Sequence, residues 1–164
     1  VDDPQTPKWA GPEDLSATAH IAHDGQGLYL RIDVRDQAHH PGAPGEHLWT
    51  GDSVQVGIAA QGRQTEVGFT EAGGGAAWCW ISPDSARVGH WLEPIVVRRE
   101  GNTTFYECYL PFEALGFEVR PGMLIRLAFA VNEDDGRGRV RLLKWFDGIH
   151  PLKDADLFGY LILE

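Results

Sequence analysis

Apolar and polar residues alternate with a period of two along most of this chain, and stretches with the 3.6-residue period of a helix are almost absent. The clearest run is Gly27–Asp36, where Leu28, Leu30, Ile32 and Val34 fall on one face and Tyr29, Arg31, Asp33 and Arg35 on the other. Ala17–His23 precedes it across Asp24-Gly25, a dipeptide that favours a tight hairpin. The same reading pairs Asp52–Ala60 with Arg63–Thr70 across Gln61-Gly62, and Pro94–Arg99 with Thr103–Leu110 across Gly101-Asn102. Ala76–Ile81, Gly138–Trp145 and Leu157–Leu163 are further short strands. Met123–Asn132 is apolar on both faces, which predicts a central strand with cover on each side. Pro111–Gly116 fits a single helical turn, with Pro at its start and Gly at its stop. About nine to ten short strands at such spacing predict an all-β fold, one antiparallel β-sandwich of jelly-roll-like character spanning residues 1–164.

One strand start carries more than packing. In Leu48–Val56 a Trp sits on the turn Thr50-Gly51-Asp52, and an alternating strand follows. Val54, Val56 and Ile58 point to a core, while Ser53, Gln55 and Gly57 point away from it. The outward face therefore offers amide and hydroxyl groups beside an indole held outside the strand. A possible partner lies near the other end of the chain, in Leu143–Ile149, where Trp145 shares the parity of Arg139 and Arg141. Two indoles beside polar groups suit a sugar ring: CH groups meet the aromatic faces and hydroxyls find Gln, Asn, Arg and Asp partners. Gln55, Asp52, Asn132 and Arg126 are the candidate polar groups, with Arg139 as a further cation. Trp78 and Trp80 also share a face, and packing is the ordinary explanation for both.

Composition narrows the partners. The 164 residues suffice for one domain with a core, and the formal charge of −10, from 24 acidic and 14 basic residues, repels a phosphate backbone. Nucleic acid and acidic membrane surfaces are thereby disfavoured, while neutral or cationic ligands and divalent ions stay compatible. No run reaches the ~18 apolar residues of a membrane span. The chain opens on Val1-Asp2-Asp3-Pro4 with neither an initiator Met nor a signal-like apolar stretch, and reads as an excised module or processed product. Cys79 and Cys108 are the only cysteines, and either a bridge across sheets or two buried thiols fits their positions.

Enzymatic constellations are lacking in the pattern. No G-x-S-x-G elbow occurs, and the Gly73–Gly75 cluster is followed by no helix that would cradle phosphate. His39, His40 and His47 lie on one loop, an arrangement that seldom converges on a metal. The turn Asn132–Gly136 is the better metal candidate. Its Glu133, Asp134 and Asp135, with backbone carbonyls, suit the oxygen-rich shell of Ca²⁺, and Asp154 and Asp156 are secondary candidates. A haem-binding electron-transfer sandwich is the alternative function, with the single Met, Met123, as its axial ligand.

Several segments follow one another in a familiar order: Gly11–Ala17, Gly27–Leu30, Leu48–Gln55, Tyr109–Phe112, Ala130–Asp135, Lys144–Ile149 and Lys153–Gly159. Through them the chain resembles a family 9 carbohydrate-binding module over nearly its whole length, the Leu-Trp-x-Gly-Asp-Ser block being the most specific. The resemblance implies a non-catalytic β-sandwich that holds a sugar unit between two Trp side chains, here Trp49 and Trp145, with Gln55 on the strand that follows. Gln55 stands where the best-known members look to carry Glu. It further implies structural calcium ions, and an accessory role beside a catalytic domain of a secreted polysaccharide-degrading enzyme.

Overall fold

A computed structural model describes residues 8–164. Ten strands form two antiparallel sheets, and the alternation along each strand decides which side chains meet between them. β1 (Leu15–His23), β2 (Gly27–Asp36), β6 (Ile95–Glu100) and β7 (Thr103–Pro111) make a four-stranded sheet in the order β1-β2-β7-β6. The other sheet runs β10-β8-β3-β4-β5, from β3 (Ser53–Ala60), β4 (Arg63–Thr70), β5 (Ala76–Ile81), β8 (Met123–Asp134) and β10 (Gly159–Leu163). β9 (Arg139–Trp145) completes it by pairing with the far half of β8, while β10 pairs with the near half. β9 and β10 thus share one edge of β8, and the loop 146–158 between them crosses the outside of the sheet.

The predicted strands are all present, with ends shifted by one or two residues. Leu28, Leu30, Ile32 and Val34 of β2 meet Val54, Val56 and Ile58 of β3 and Ile125, Leu127 and Phe129 of β8 in one core between the sheets. Gln61 and Gly62 both take positive φ, 50° and 72°, which gives the β3–β4 hairpin the twist its strands need. The helical turn is α1 (Phe112–Leu115), stopped by Gly116 in the left-handed region at φ 75°. Cys79 on β5 and Cys108 on β7 are free thiols, so of the two arrangements open to the sequence the unbridged one is found.

β8 is covered on both faces, as its apolar pattern demands. Its outer residues Ala128 and Ala130 lie under Ile149 and Phe158 of the loop 146–158, forming a second, smaller apolar cluster with Ala59. Small residues are needed there because the loop packs directly on the sheet. A Cβ at Gly57 would lie 2.5 Å from the Phe158 ring, so only glycine admits that contact. This plug separates the apolar part of the outer face from the polar part beside it.

Candidate functional site

Next to the plug, the outer face of β3, β4 and β8 carries polar side chains in place of apolar ones. Gln55 pairs in register with Gly68 and Ala130, and Ser53 with Asn132, so their side chains emerge on one side. They form a connected polar floor. Asn132 Nδ2 donates to Ser53 Oγ and to Gln55 Oε1, both at 3.1 Å. Gln55 Nε2 donates to Glu66 Oε1 at 3.1 Å, and the same oxygen accepts from Lys153 Nζ. Gln55 and Asn132 are each 1% exposed and Glu66 is fully buried. Burial pushes the Glu66 carboxyl above its ordinary range, and the Lys153 ammonium opposes that shift. Glu66 Oε2 has no hydrogen-bond partner among the described residues.

Aromatic and cationic side chains surround this floor in alternation. Trp49 leaves the 3₁₀ turn Leu48–Thr50, whose Leu48 is fully buried while the indole is only partly covered. The preceding loop is pinned tightly: Gly42 N donates to Asp52 O at 3.2 Å, Asp52 N to His40 O at 2.9 Å, and a Cβ at Gly42 would overlap Leu48 O. Leu48 is therefore inward and Trp49 outward by construction. The Arg139 guanidinium lies 4.7 Å from the Trp49 ring centroid and donates to Asn132 Oδ1 at 3.3 Å. His150, from the loop 146–158, sits edge-on to Trp49 with ring centroids 5.8 Å apart. On the β4–β5 side, Trp80 lies across Gly68, where a Cβ would come within 2.6 Å of its ring. Its Nε1 donates to Glu46 O at 3.1 Å, and Lys153 Nζ stands 5.1 Å from its centroid.

A separate cluster of acids occupies the end of the sandwich between the sheets. Oxygens of Asp36, Glu133 and Asp135 lie within 4.8 Å of one another, and Asp36, His39 and Asp52 form an overlapping group of the same span. Both Glu133 oxygens are buried without a hydrogen bond; Arg141 Nε lies 3.1 Å from Oε2 but is not aligned to donate. Arg141 also contacts Asp14 at 2.5 Å and Asp135 at 3.4 Å. Burial, and next the charge of Asp52, lift the Asp36 carboxyl to about 6. Burial lifts Glu133 to about 7, against the pull of Arg141 and with the push of Asp135. Such a set of hard oxygens, with acceptors lacking donors, fits a calcium ion.

Of the sugar-contact residues expected from the sequence, Trp49, Gln55 and Asn132 come together and three do not. Trp145 stands directly across from Phe129, so it shares the core side of its sheet, whereas Trp49 lies on the outer side. Its ring packs on Phe129 at 5.5 Å and Phe146 at 4.7 Å, and it remains 46% exposed at the open edge beside β1. The shared parity with Arg139 misled because a bulge between Glu133 and Asp134 shifts the register of β9. Asp52 is buried in the acid cluster, accepting from the backbone N–H groups of His40 and Asp134. Arg126 is on the outer face but six residues from Asn132 along β8, about 20 Å away, where it pairs with Asp156 and stacks on Tyr160.

Among the metal candidates, Glu133 and Asp135 converge with Asp36, but Asp134 does not. Its Oδ1 instead accepts from Gly136 N at 2.7 Å and Arg137 N at 2.8 Å, an Asx turn that uses the carboxylate locally. Asp154 similarly accepts from Asp156 N, and Asp156 is taken by Arg126. Met123, the haem-ligand candidate, packs against the core with its sulfur 3.7 Å from Gln61 Nε2. Trp80, Glu66, His150 and Lys153 were not identified as site residues from the sequence. The signal for Trp80 was present in Gly68, a bare position on the strand face shared with Gln55.

The fold and this face define a class: a two-sheet β-sandwich that presents an aromatic and polar platform on the outside of one sheet. The chain belongs to the carbohydrate family 9 binding domain-like family, whose model matches residues 3–164. No curated protein matches it. Among solved structures it is similar to a family 9 carbohydrate-binding module from Caldicellulosiruptor kristjanssonii in complex with cellotriose, at 17% identity and a TM-score of 0.75, covering 94% of this chain and 78% of that one. A second structure from that organism, a family 9 module in complex with glucose, matches at 18% identity and a TM-score of 0.68, covering 94% and 80%.

Proposed function

We propose that this domain binds a sugar unit on the outer face of the six-stranded sheet, laid against Trp49 and Trp80 above the floor formed by Gln55, Asn132 and Glu66. The observation that carries the reading is the union of two partly exposed indoles with a buried, pre-connected amide and carboxylate network. Such a floor holds Arg139 and Lys153 of the rim in place before a ligand arrives, and indoles bury the CH faces of a pyranose while leaving its hydroxyls free to bond. The family membership and the sugar complexes of its structural neighbours support the same ligand class. Calorimetry with a panel of mono- and oligosaccharides tests it: binding that is lost in Trp49→Ala and Trp80→Ala is expected. A panel that shows no heat, with the fold intact, would remove the proposal.

The domain acts without catalysing cleavage and serves as an accessory unit of a secreted polysaccharide-active enzyme. Glycoside cleavage by the usual route takes two carboxyls about 5–10 Å apart across the scissile bond. Asp52 is buried among backbone donors, and Asp147 is on the surface with Lys144, which supports a binding role. No helix among the described residues is long and apolar enough to cross a membrane. Calcium, held by Asp36, Glu133 and Asp135, would neutralise the acid cluster and stabilise the end of the sandwich from which Trp49 and Asn132 start.

A further inference from the structure

The charge on the rim of the sugar face is opposite to that of the molecule. With a formal charge of −10 overall, the outer face nevertheless places two cations, Arg139 and Lys153, beside Trp49 and Trp80, with the His150 ring next to them. Two of the nearby acids are already paired with cations, Glu66 with Lys153 and Asp147 with Lys144. Arg139 differs from the other rim cation. It forms no ion pair among the described residues, and its hydrogen bond goes to the neutral Asn132 Oδ1. The local field is felt by His150, whose imidazolium is disfavoured first by burial and then by Arg139, Lys153 and Lys144.

A guanidinium drawn partly out of water needs compensation. The indole face and one amide oxygen supply some, but less than an anion would. The planar fork of arginine matches two oxygens of a carboxylate or sulfate better than it matches a single hydroxyl. We infer that the sugar recognised here carries an acidic substituent, a uronic acid carboxylate or a sulfate ester, received by Arg139 beside Trp49. The inference rests on the sugar-binding reading and adds to it the class of sugar. Its chemistry is ionic pairing only, with no bond made or broken.

The experiment compares three probes on the whole domain at low and at high salt: a methyl glucoside, the matching methyl glucuronide and glucose 6-sulfate. The expected result is at least tenfold tighter binding of one or both anionic probes than of the glucoside. That preference should shrink in ~0.5 M salt, where the Debye length falls below about 5 Å. Arg139→Gln should abolish the preference, and a thermal melt reports whether that variant folds. If it does not, the salt series and probe ranking in the unaltered protein still decide. The glucuronide and sulfate arms separate the two acidic groups. Equal or tighter binding of the glucoside overturns the acidic-sugar inference while leaving the sugar site standing, and a preference that survives in Arg139→Gln overturns the role of Arg139. Failure of every probe and of neutral oligosaccharides removes the sugar site itself.

Discussion

Trp49 and Trp145 illustrate how one residue type takes two roles according to what lies beneath it. Trp49 is held off the sheet by a buried Leu48 and a glycine-pinned loop, so its ring stands beside the polar floor, partly covered by Arg139 and His150. Trp145 leans on Phe129 at the edge of the core. Trp49→Ala is therefore expected to cost about 1–3 kcal/mol of sugar affinity, as truncation of a central aromatic contact does, with a melting temperature close to that of the parent. Trp145→Ala should show the reverse in the same calorimetry and melting experiments: affinity within about twofold of the parent and a stability loss of ~1–2 kcal/mol, less than a fully buried Trp would give. Loss of binding in Trp145→Ala would place the ligand on the other side of the sheet.

Among the elements, β4 and the loop 146–158 govern the platform. Gly68 leaves room for the Trp80 ring, since an added Cβ would come within 2.6 Å of it and 2.9 Å of Leu48 Cδ1. Neither neighbour is a free side-chain end, because Leu48 is buried and Trp80 is tied through its Nε1 to Glu46. Gly68→Ala is accordingly expected to destabilise the fold by about 1–3 kcal/mol, the usual cost of overpacking, and to weaken sugar binding by displacing Trp80. Denaturant melts and calorimetry on this variant check both parts; unchanged affinity would show that Trp80 is only packing. The loop contributes differently. Ile149 and Phe158 anchor it, and Lys153 and His150 are thereby carried to the rim.

For the whole molecule, the acid cluster links stability to pH, and the proposed calcium ion would act on the same groups. Folded Asp36 and Glu133 titrate at about 6 and about 7, above the ordinary carboxyl range they return to on unfolding. Between about pH 4 and 7 the folded state therefore holds more protons, and its stability falls as pH rises through that window. At about 1.4 kcal/mol per pH unit for each group, the loss reaches a few kcal/mol. In chelator, the melting temperature is expected to drop from pH 5 to pH 8. Added calcium should restore several degrees at pH 8 and little at pH 5, where protons compete for the same oxygens. Melting curves unaltered by calcium at pH 8, together with no bound metal by elemental analysis, would remove the ion.

The sequence by itself determined the sandwich, because a period of two and turn dipeptides act between near neighbours and need no knowledge of the partner sheet. It placed Trp49, Gln55 and Asn132 near one another on one face for the same reason: each is positioned by a turn or by the parity of its own strand. Tertiary structure alone decided the rest. The bulge in β9 separates Trp145 from Arg139, and the loop 146–158 brings His150 and Lys153 across the chain to Trp49 and Trp80. Asp36 reaches Glu133 and Asp135 only when the two sheets close on each other. Such meetings depend on register and on contacts between residues far apart in the chain, which alternation along a single strand does not encode.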